Sequence, residues 1–102
     1  MSRKGYGLGK EREAKKLLYK EGAFEVCRAR GSFGNFDIIA FFPNHCLLVS
    51  VKSTKQKQVS FMPEVRKLFD VKVPDYCKKQ LRIYWSPHKD RNKRGWEILN
   101  IG

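Results

Sequence analysis

Asp37, Ser50 and Lys52 are the residues of this chain best placed to act together. Ser50 and Lys52 stand two apart in Cys46-Leu-Leu-Val-Ser-Val-Lys52, and side chains two apart in a strand share a face. Asp37 closes the stretch Arg28-Ala-Arg-Gly-Ser-Phe-Gly-Asn-Phe-Asp37 and leads into an apolar run ending at Phe42. Pro43-Asn44-His45 separates the two apolar runs, which predicts a β-hairpin. A short turn then brings Asp37 opposite the polar end of its partner strand. A carboxylate, a hydroxyl and an ammonium would share one rim of an otherwise apolar hairpin. Charged groups are rarely buried without partners, so this set does something other than fill a core.

The rest of the chain must position that rim. At 102 residues it is long enough for one domain spanning 1–102, with a single core. Residues 1–9 hold three glycines and the basic pair Arg3 and Lys4, and read as a flexible basic arm. From about Gly9 to Gly22 the pattern is helical, with Ala14, Leu17 and Leu18 as its apolar face and Gly22 as its stop. On that helix Glu11 lies about 65° from the centre of the apolar stripe and Glu13 about 95° away. Either acid can also pair with a lysine one turn along.

Phe24 to Arg30 reads as a strand that carries Phe24, Val26, Arg28 and Arg30 on one face. In the following Gly31-Ser-Phe-Gly-Asn loop, the glycines let the backbone approach something bulky and Ser32 offers a hydroxyl. With Arg28 and Arg30 beside it, the loop is a plausible phosphate contact, the alternative being a plain tight turn. After the hairpin comes the polar, basic connection Lys52-Ser-Thr-Lys-Gln-Lys-Gln, which holds Lys55 and Lys57. Pro63 suits the first turn of a second helix running to about Asp70, with Val65, Leu68 and Phe69 inward. Glu64 sits at its entry, where the helix dipole favours a carboxylate. Val71 to Lys79 reads as loop, and Leu81–Trp85 and Gly95–Ile101 as strands. Between them lies a charged tip whose Lys89, Arg91, Lys93 and Arg94 could grip a phosphate backbone or be merely solvated. The order αβββαββ implies an α/β domain: a central mixed five-stranded sheet flanked by helices, the second helix serving as crossover.

Charge narrows the function class. Lys and Arg number 22 against 10 Asp and Glu, a net +12 spread along the whole chain. An excess of that size is usually offset by a polyanionic partner, most often nucleic acid, DNA or RNA. No segment approaches the ~18 apolar residues of a membrane span, and the N-terminus lacks the apolar stretch of a signal peptide, which leads us to expect an intracellular (cytoplasmic) protein. Three widely spaced cysteines, Cys27, Cys46 and Cys77, argue against a disulfide framework or a zinc site and fit a reducing compartment. They read as small buried hydrophobes, and His45 and His88 as loop residues.

Lys4-Gly5, Glu11-Arg12, Arg28-Ala-Arg-Gly-Ser32, Asp37-Ile-Ile-Ala40 and Val49-Ser-Val-Lys-Ser53 resemble the archaeal-type Holliday junction resolvases of the PD-(D/E)xK nuclease superfamily. The resemblance covers roughly the first 55 residues, with the remainder matching in element order. It implies a restriction-endonuclease-like fold and a homodimer that binds four-way DNA junctions. It also implies cleavage with Mg²⁺, with Mn²⁺ able to substitute. By position, Asp37 matches the metal-binding aspartate, Lys52 the catalytic lysine, Glu11 the first-helix glutamate and Ser32 the loop serine. The implied DNA contacts are Arg3, Lys4, Arg12, Arg28, Arg30, Lys55, Lys57, Lys89, Arg91, Lys93 and Arg94.

One departure bears on the chemistry. Ser50 stands where the family carries a glutamate two residues before the lysine, and a neutral hydroxyl is a poor ligand for Mg²⁺. A subset of restriction enzymes with Ser-x-Lys supplies the missing carboxylate from the following helix, and Glu64 lies at a matching distance in sequence. Ser50 would then hydrogen-bond a water or ligand behind the metal-binding acids Asp37, Glu64 and Glu11. The alternatives are a site that binds DNA without cutting it, and a nuclease acting on linear duplex.

Overall fold

The computed structural model describes residues 2–29, 36–56, 59–87, 89 and 94–102, with the side chains of 2–8 excepted. Seven elements follow in the order α1 (Ser2–Lys20), β1 (Glu25–Arg28), β2 (Ile38–Phe41), β3 (Cys46–Thr54), α2 (Met62–Asp70), β4 (Cys77–Trp85) and β5 (Gly95–Ile101). The strands form one sheet in the order β1-β2-β3-β4-β5. β3 and β4 are parallel and every other neighbouring pair is antiparallel. Parallel neighbours need a long crossover, and α2 supplies it.

β3 is the central strand, and Cys46–Ser50 are all buried because both faces of the sheet are covered. Leu47 and Val49 join Val26, Ile38 and Ala40 in a cluster under Ala14 and Leu18 of α1. Leu48, Leu81, Ile83, Trp85 and Ile101 pack on the other face with Leu68 of α2 and with Phe36. This is the α/β architecture expected from the element order, a restriction-endonuclease-like mixed sheet between two helices.

Local chemistry explains the element ends. α1 stops in a Schellman motif: the Gly22 N–H donates to the Tyr19 carbonyl and the Ala23 N–H to the Leu18 carbonyl. Gly22 sits at φ 116°, a conformation that side-chain-bearing residues rarely adopt. The Tyr19 hydroxyl accepts the Val26 N–H, satisfying a donor of the edge strand β1. The β2–β3 hairpin turns where Pro43-Asn44-His45 predicts, and His45 stacks on Phe42 at 4.8 Å between ring centroids.

Four expectations differ. Residues 2–9, read as a flexible arm, are helical, since each glycine costs a helix only about 1 kcal/mol and removes no donor. β4 begins at Cys77 rather than Leu81 because Cys77 to Gln80 already pair along β3. Phe69 is 61% exposed rather than inward, whereas Phe61 packs edge-on to Trp85 with ring centroids 5.8 Å apart. The Lys79 ammonium donates to the carbonyls of Leu68, Phe69 and Val71, each at 2.9 Å, and so closes the C-terminus of α2. Finally, Cys46 is buried, but Cys27 and Cys77 are half-buried.

Candidate functional site

Beyond the last β2–β3 register pair, Ile38 with Val49, the ladder changes character. The Asp37 N–H donates to the Val49 carbonyl at 2.9 Å, and the Asp37 carboxylate Oδ2 accepts the Val51 N–H at 2.7 Å. A side-chain oxygen thus stands in for a backbone acceptor and brings the acid to β3 between Ser50 and Lys52. The second carboxylate oxygen accepts no hydrogen bond among the described residues.

On the α2 side of β3, alternation turns Leu48, Ser50 and Lys52 the same way. Ser50 is 2% exposed, while Lys52 at the end of the row reaches solvent. Ser50 and Lys52 line a recess of about 80 Å³ together with Glu64, Lys67 and Leu68 of α2. Lys67 and Leu68 follow Glu64 by three and four residues, one turn on along the same side of α2. Leu68 anchors that face in the core, so Glu64 and Lys67 are carried over the rim. Among the described residues, the side chains of Glu64, Lys52 and Lys67 make no hydrogen bond or ion pair with one another or with neighbours. Glu64 does not cap the helix either: the N-cap is Phe61, with no side-chain hydrogen bond, and Pro63 occupies the first turn.

Glu11 has a different surrounding. One of its oxygens is buried without a hydrogen bond and lies 3.6 Å from the Arg28 Nε. Arg28 pairs across the sheet with Ile38, so Glu11 stands at the same end of the sheet as Asp37, on the side that α1 covers. Among the described residues no three acid, histidine or cysteine side chains converge as a metal cluster. The oxygens available to a cation are therefore those of separate carboxylates rather than of a closed cage.

Of the basic residues expected to meet DNA, Arg12, Arg28, Lys55, Lys89 and Arg94 are exposed. Arg3 and Lys4 lie on α1, their side chains outside the described set, and Ser32, Arg30, Lys57, Arg91 and Lys93 lie outside the described residues, as does His88.

Three charged residues, one lining the recess and two fastening the fold, escape a reading of the chain alone. Lys67 is one, recognisable only as the residue one turn after Glu64. Lys79, the cap of α2, is another. The third is Arg82, 1% exposed within β4, whose guanidinium is held by both oxygens of Glu21 at 2.9 and 2.7 Å. Gln80 takes its remaining Nε donor at 3.0 Å. With the Lys10 ammonium 3.4 Å from the Tyr84 ring centroid, this pair fastens α1 across β4.

Fold and recess together define a restriction-endonuclease-like α/β domain with a serine, a lysine and a helix-borne glutamate at one edge of its central strand. The family model for archaeal Holliday junction resolvases (Hjc) matches residues 1–100, and the chain belongs to that family. Membership carries a role at four-way DNA junctions, in recombination and repair. No curated protein matches the chain. Among the described residues, no helix is long and apolar enough to cross a membrane.

Proposed function

We propose that this resolvase is a metal-dependent endodeoxyribonuclease of the PD-(D/E)xK type that hydrolyses phosphodiesters at four-way junctions, working as a homodimer because resolution needs two coordinated cuts. The observation that carries the proposal is Glu64, an uncommitted carboxylate lining the same recess as Ser50 and Lys52. It returns a negative charge to the position that Ser50 leaves neutral.

Mg²⁺, with Mn²⁺ as substitute, fits this donor set. Magnesium is commonly held by one or two carboxylates plus substrate phosphate. Asp37 and Glu64 offer carboxylate oxygens, and no thiol or imidazole lines the recess. Glu11, on the α1 side, is the further acid of the set. When bound, the ion supplies charge neutralisation at the phosphate and an acidified water. The chain's own residues do the rest. Val51 holds the Asp37 carboxylate in one orientation through its N–H. The Lys52 ammonium stabilises charge that develops on the phosphoryl oxygens, a contribution that can reach several kcal/mol in a desolvated site. The Ser50 hydroxyl orients water or ligand behind the acids. Ser32 contributes its hydroxyl from the glycine loop. Arg3, Lys4, Arg12, Arg28, Arg30, Lys55, Lys57, Lys89, Arg91, Lys93 and Arg94 position the DNA through its phosphates, which selects shape rather than sequence.

A second reading is favoured by Lys67. Two ammonium groups and one carboxylate in the recess leave it net positive, which suits a phosphate without a metal. On that reading the protein is a DNA-binding module that does not cut.

Labelled four-way junction and linear duplex, each incubated with the full chain and Mg²⁺ or Mn²⁺, separate the readings. Paired symmetric nicks on the junction, lost in Asp37→Asn with binding retained, are the expected result. Binding by both proteins with product from neither overturns the nuclease and leaves the module. Equal cleavage of the linear duplex overturns junction selectivity.

A further inference from the structure

Cys46 and Cys77 begin the two parallel strands at the centre of the sheet, and they are direct register partners. Register partners in a parallel pair project to the same face. The backbone fixes the pairing: the Cys46 N–H donates to the Tyr76 carbonyl at 3.0 Å, immediately before Cys77. Burial first, and then the neighbouring Cys77 thiol, push the Cys46 thiol up to about 12. Cys77 is half-buried and lines a recess of about 560 Å³ with Asp75, Lys78, Lys79, Asn100 and Gly102, wide enough to admit a small oxidant. Nothing in the proposed cleavage chemistry uses either sulfur.

We propose that Cys46 and Cys77 are a redox-active pair that closes into a disulfide between β3 and β4 when the chain meets hydrogen peroxide. The accessible Cys77 sulfur attacks the peroxide: a sulfur–oxygen bond forms, the oxygen–oxygen bond breaks, and one water leaves. The Cys46 sulfur then attacks the Cys77 sulfenic acid. A sulfur–sulfur bond forms, the sulfur–oxygen bond breaks, and a second water leaves with the remaining thiol hydrogen. Hydrogen peroxide takes up the two electrons that the sulfurs give.

Geometry makes the bond accessible but not relaxed. Neighbouring strands of a sheet lie about 4.8 Å apart, whereas the Cβ atoms of a disulfide prefer about 3.8 Å. Both cysteines lie at strand starts, where the hairpin turn and the loop after α2 can yield the difference. Strained disulfides are reduced more readily than relaxed ones, so the pair is reversible. Cys27 provides an internal control. It lies on the edge strand β1, and its thiol donates to Glu25 at 3.6 Å rather than to another sulfur.

The test treats the fully reduced chain with hydrogen peroxide, traps free thiols with an alkylating agent in denaturant, and weighs the intact protein and its proteolytic peptides. Expected is a species lacking two hydrogens, with a peptide linking residues 46 and 77, reversed by dithiothreitol. It persists in Cys27→Ser and vanishes in Cys46→Ser and in Cys77→Ser, with circular dichroism confirming that each variant is folded. In Cys46→Ser the Cys77 sulfur, deprived of its partner, accumulates sulfinic acid instead. Oxidation of Cys77 to sulfinic acid in the wild type with Cys46 still alkylatable, or linkage only between chains through Cys27, overturns the proposal. Because the readout is mass, it is independent of whether the protein cleaves junctions.

Discussion

One carboxylate oxygen of Asp37 lies 2.7 Å from the backbone nitrogen of Val51, so the acid at the head of β2 is fastened to the strand that carries Ser50 and Lys52. An asparagine keeps an oxygen in the same place and loses only the charge. Asp37→Asn is therefore expected to unfold at the wild-type denaturant midpoint while its cleavage of junctions falls ~100-fold or more. Asp37→Ala, which leaves the Val51 N–H without its acceptor, should lose about 1 kcal/mol of stability as well.

Under the proposed function, Glu64 is expected to bear on cleavage more than on folding. Its carboxylate in the first turn of α2 contributes about 0.3–1 kcal/mol through the helix dipole. Glu64→Gln should lower the unfolding free energy by no more than that, yet raise the Mg²⁺ concentration needed for half-maximal cleavage. A variant with an unchanged Mg²⁺ dependence would remove Glu64 from the metal site.

The buried Arg82 depends on Glu21. Removing the acid strands a guanidinium that is 1% exposed, although Glu21 itself is partly open to water. Glu21→Ala is expected to cost about 2 kcal/mol, less than the 3–5 kcal/mol typical of fully buried pairs. Adding Arg82→Leu to it should recover part of the loss, which urea unfolding of the two variants will measure.

Lys79 holds three carbonyls at the end of α2. Lys79→Met keeps the packing length and gives up the donors. Expected are a loss of about 1–3 kcal/mol and faster amide hydrogen exchange confined to the last turn of α2.

Alkaline pH should weaken the fold through Cys46. Its thiol is raised in the folded chain from an ordinary 9.0 to about 12, first by burial and then by the Cys77 thiol. The folded state therefore keeps a proton that the unfolded state releases. This group's contribution to stability is full below pH ~9 and is lost as pH climbs toward the folded value, at no more than about 1.4 kcal/mol per pH unit. Reduced wild type should thus lose stability more steeply than Cys46→Ala over that interval.

Much of this was readable in the chain because it rests on local chemistry. Gly22 stops α1, Pro43-Asn44-His45 turns the hairpin, and the alternation around Ser50 and Lys52 fixes their common side. Phe69 faces out although the pattern puts it inward, because Leu68 and Phe69 are adjacent on a short helix and tertiary packing buries only Leu68. Arg82 sits in an apolar strand with its partner 61 residues away in sequence, so no periodicity announces it. The same distance problem hides Lys79 as a cap and Lys67 as a neighbour of Lys52. Glu64 could be proposed from its spacing, but its reach to Ser50 and Lys52 depends on how the crossover helix docks.

That crossover also sets an order of assembly. β1, β2 and β3 meander locally, and β4 with β5 forms its own hairpin, but the β3–β4 seam spans the longest loop in the sheet and pays the largest closure entropy. Ser50 and Lys52 belong to the early half and Glu64 rides on the segment that joins the halves. A nascent chain thus carries Ser50 and Lys52 before Glu64 is docked beside them, and the recess they line together is complete only once the seam closes.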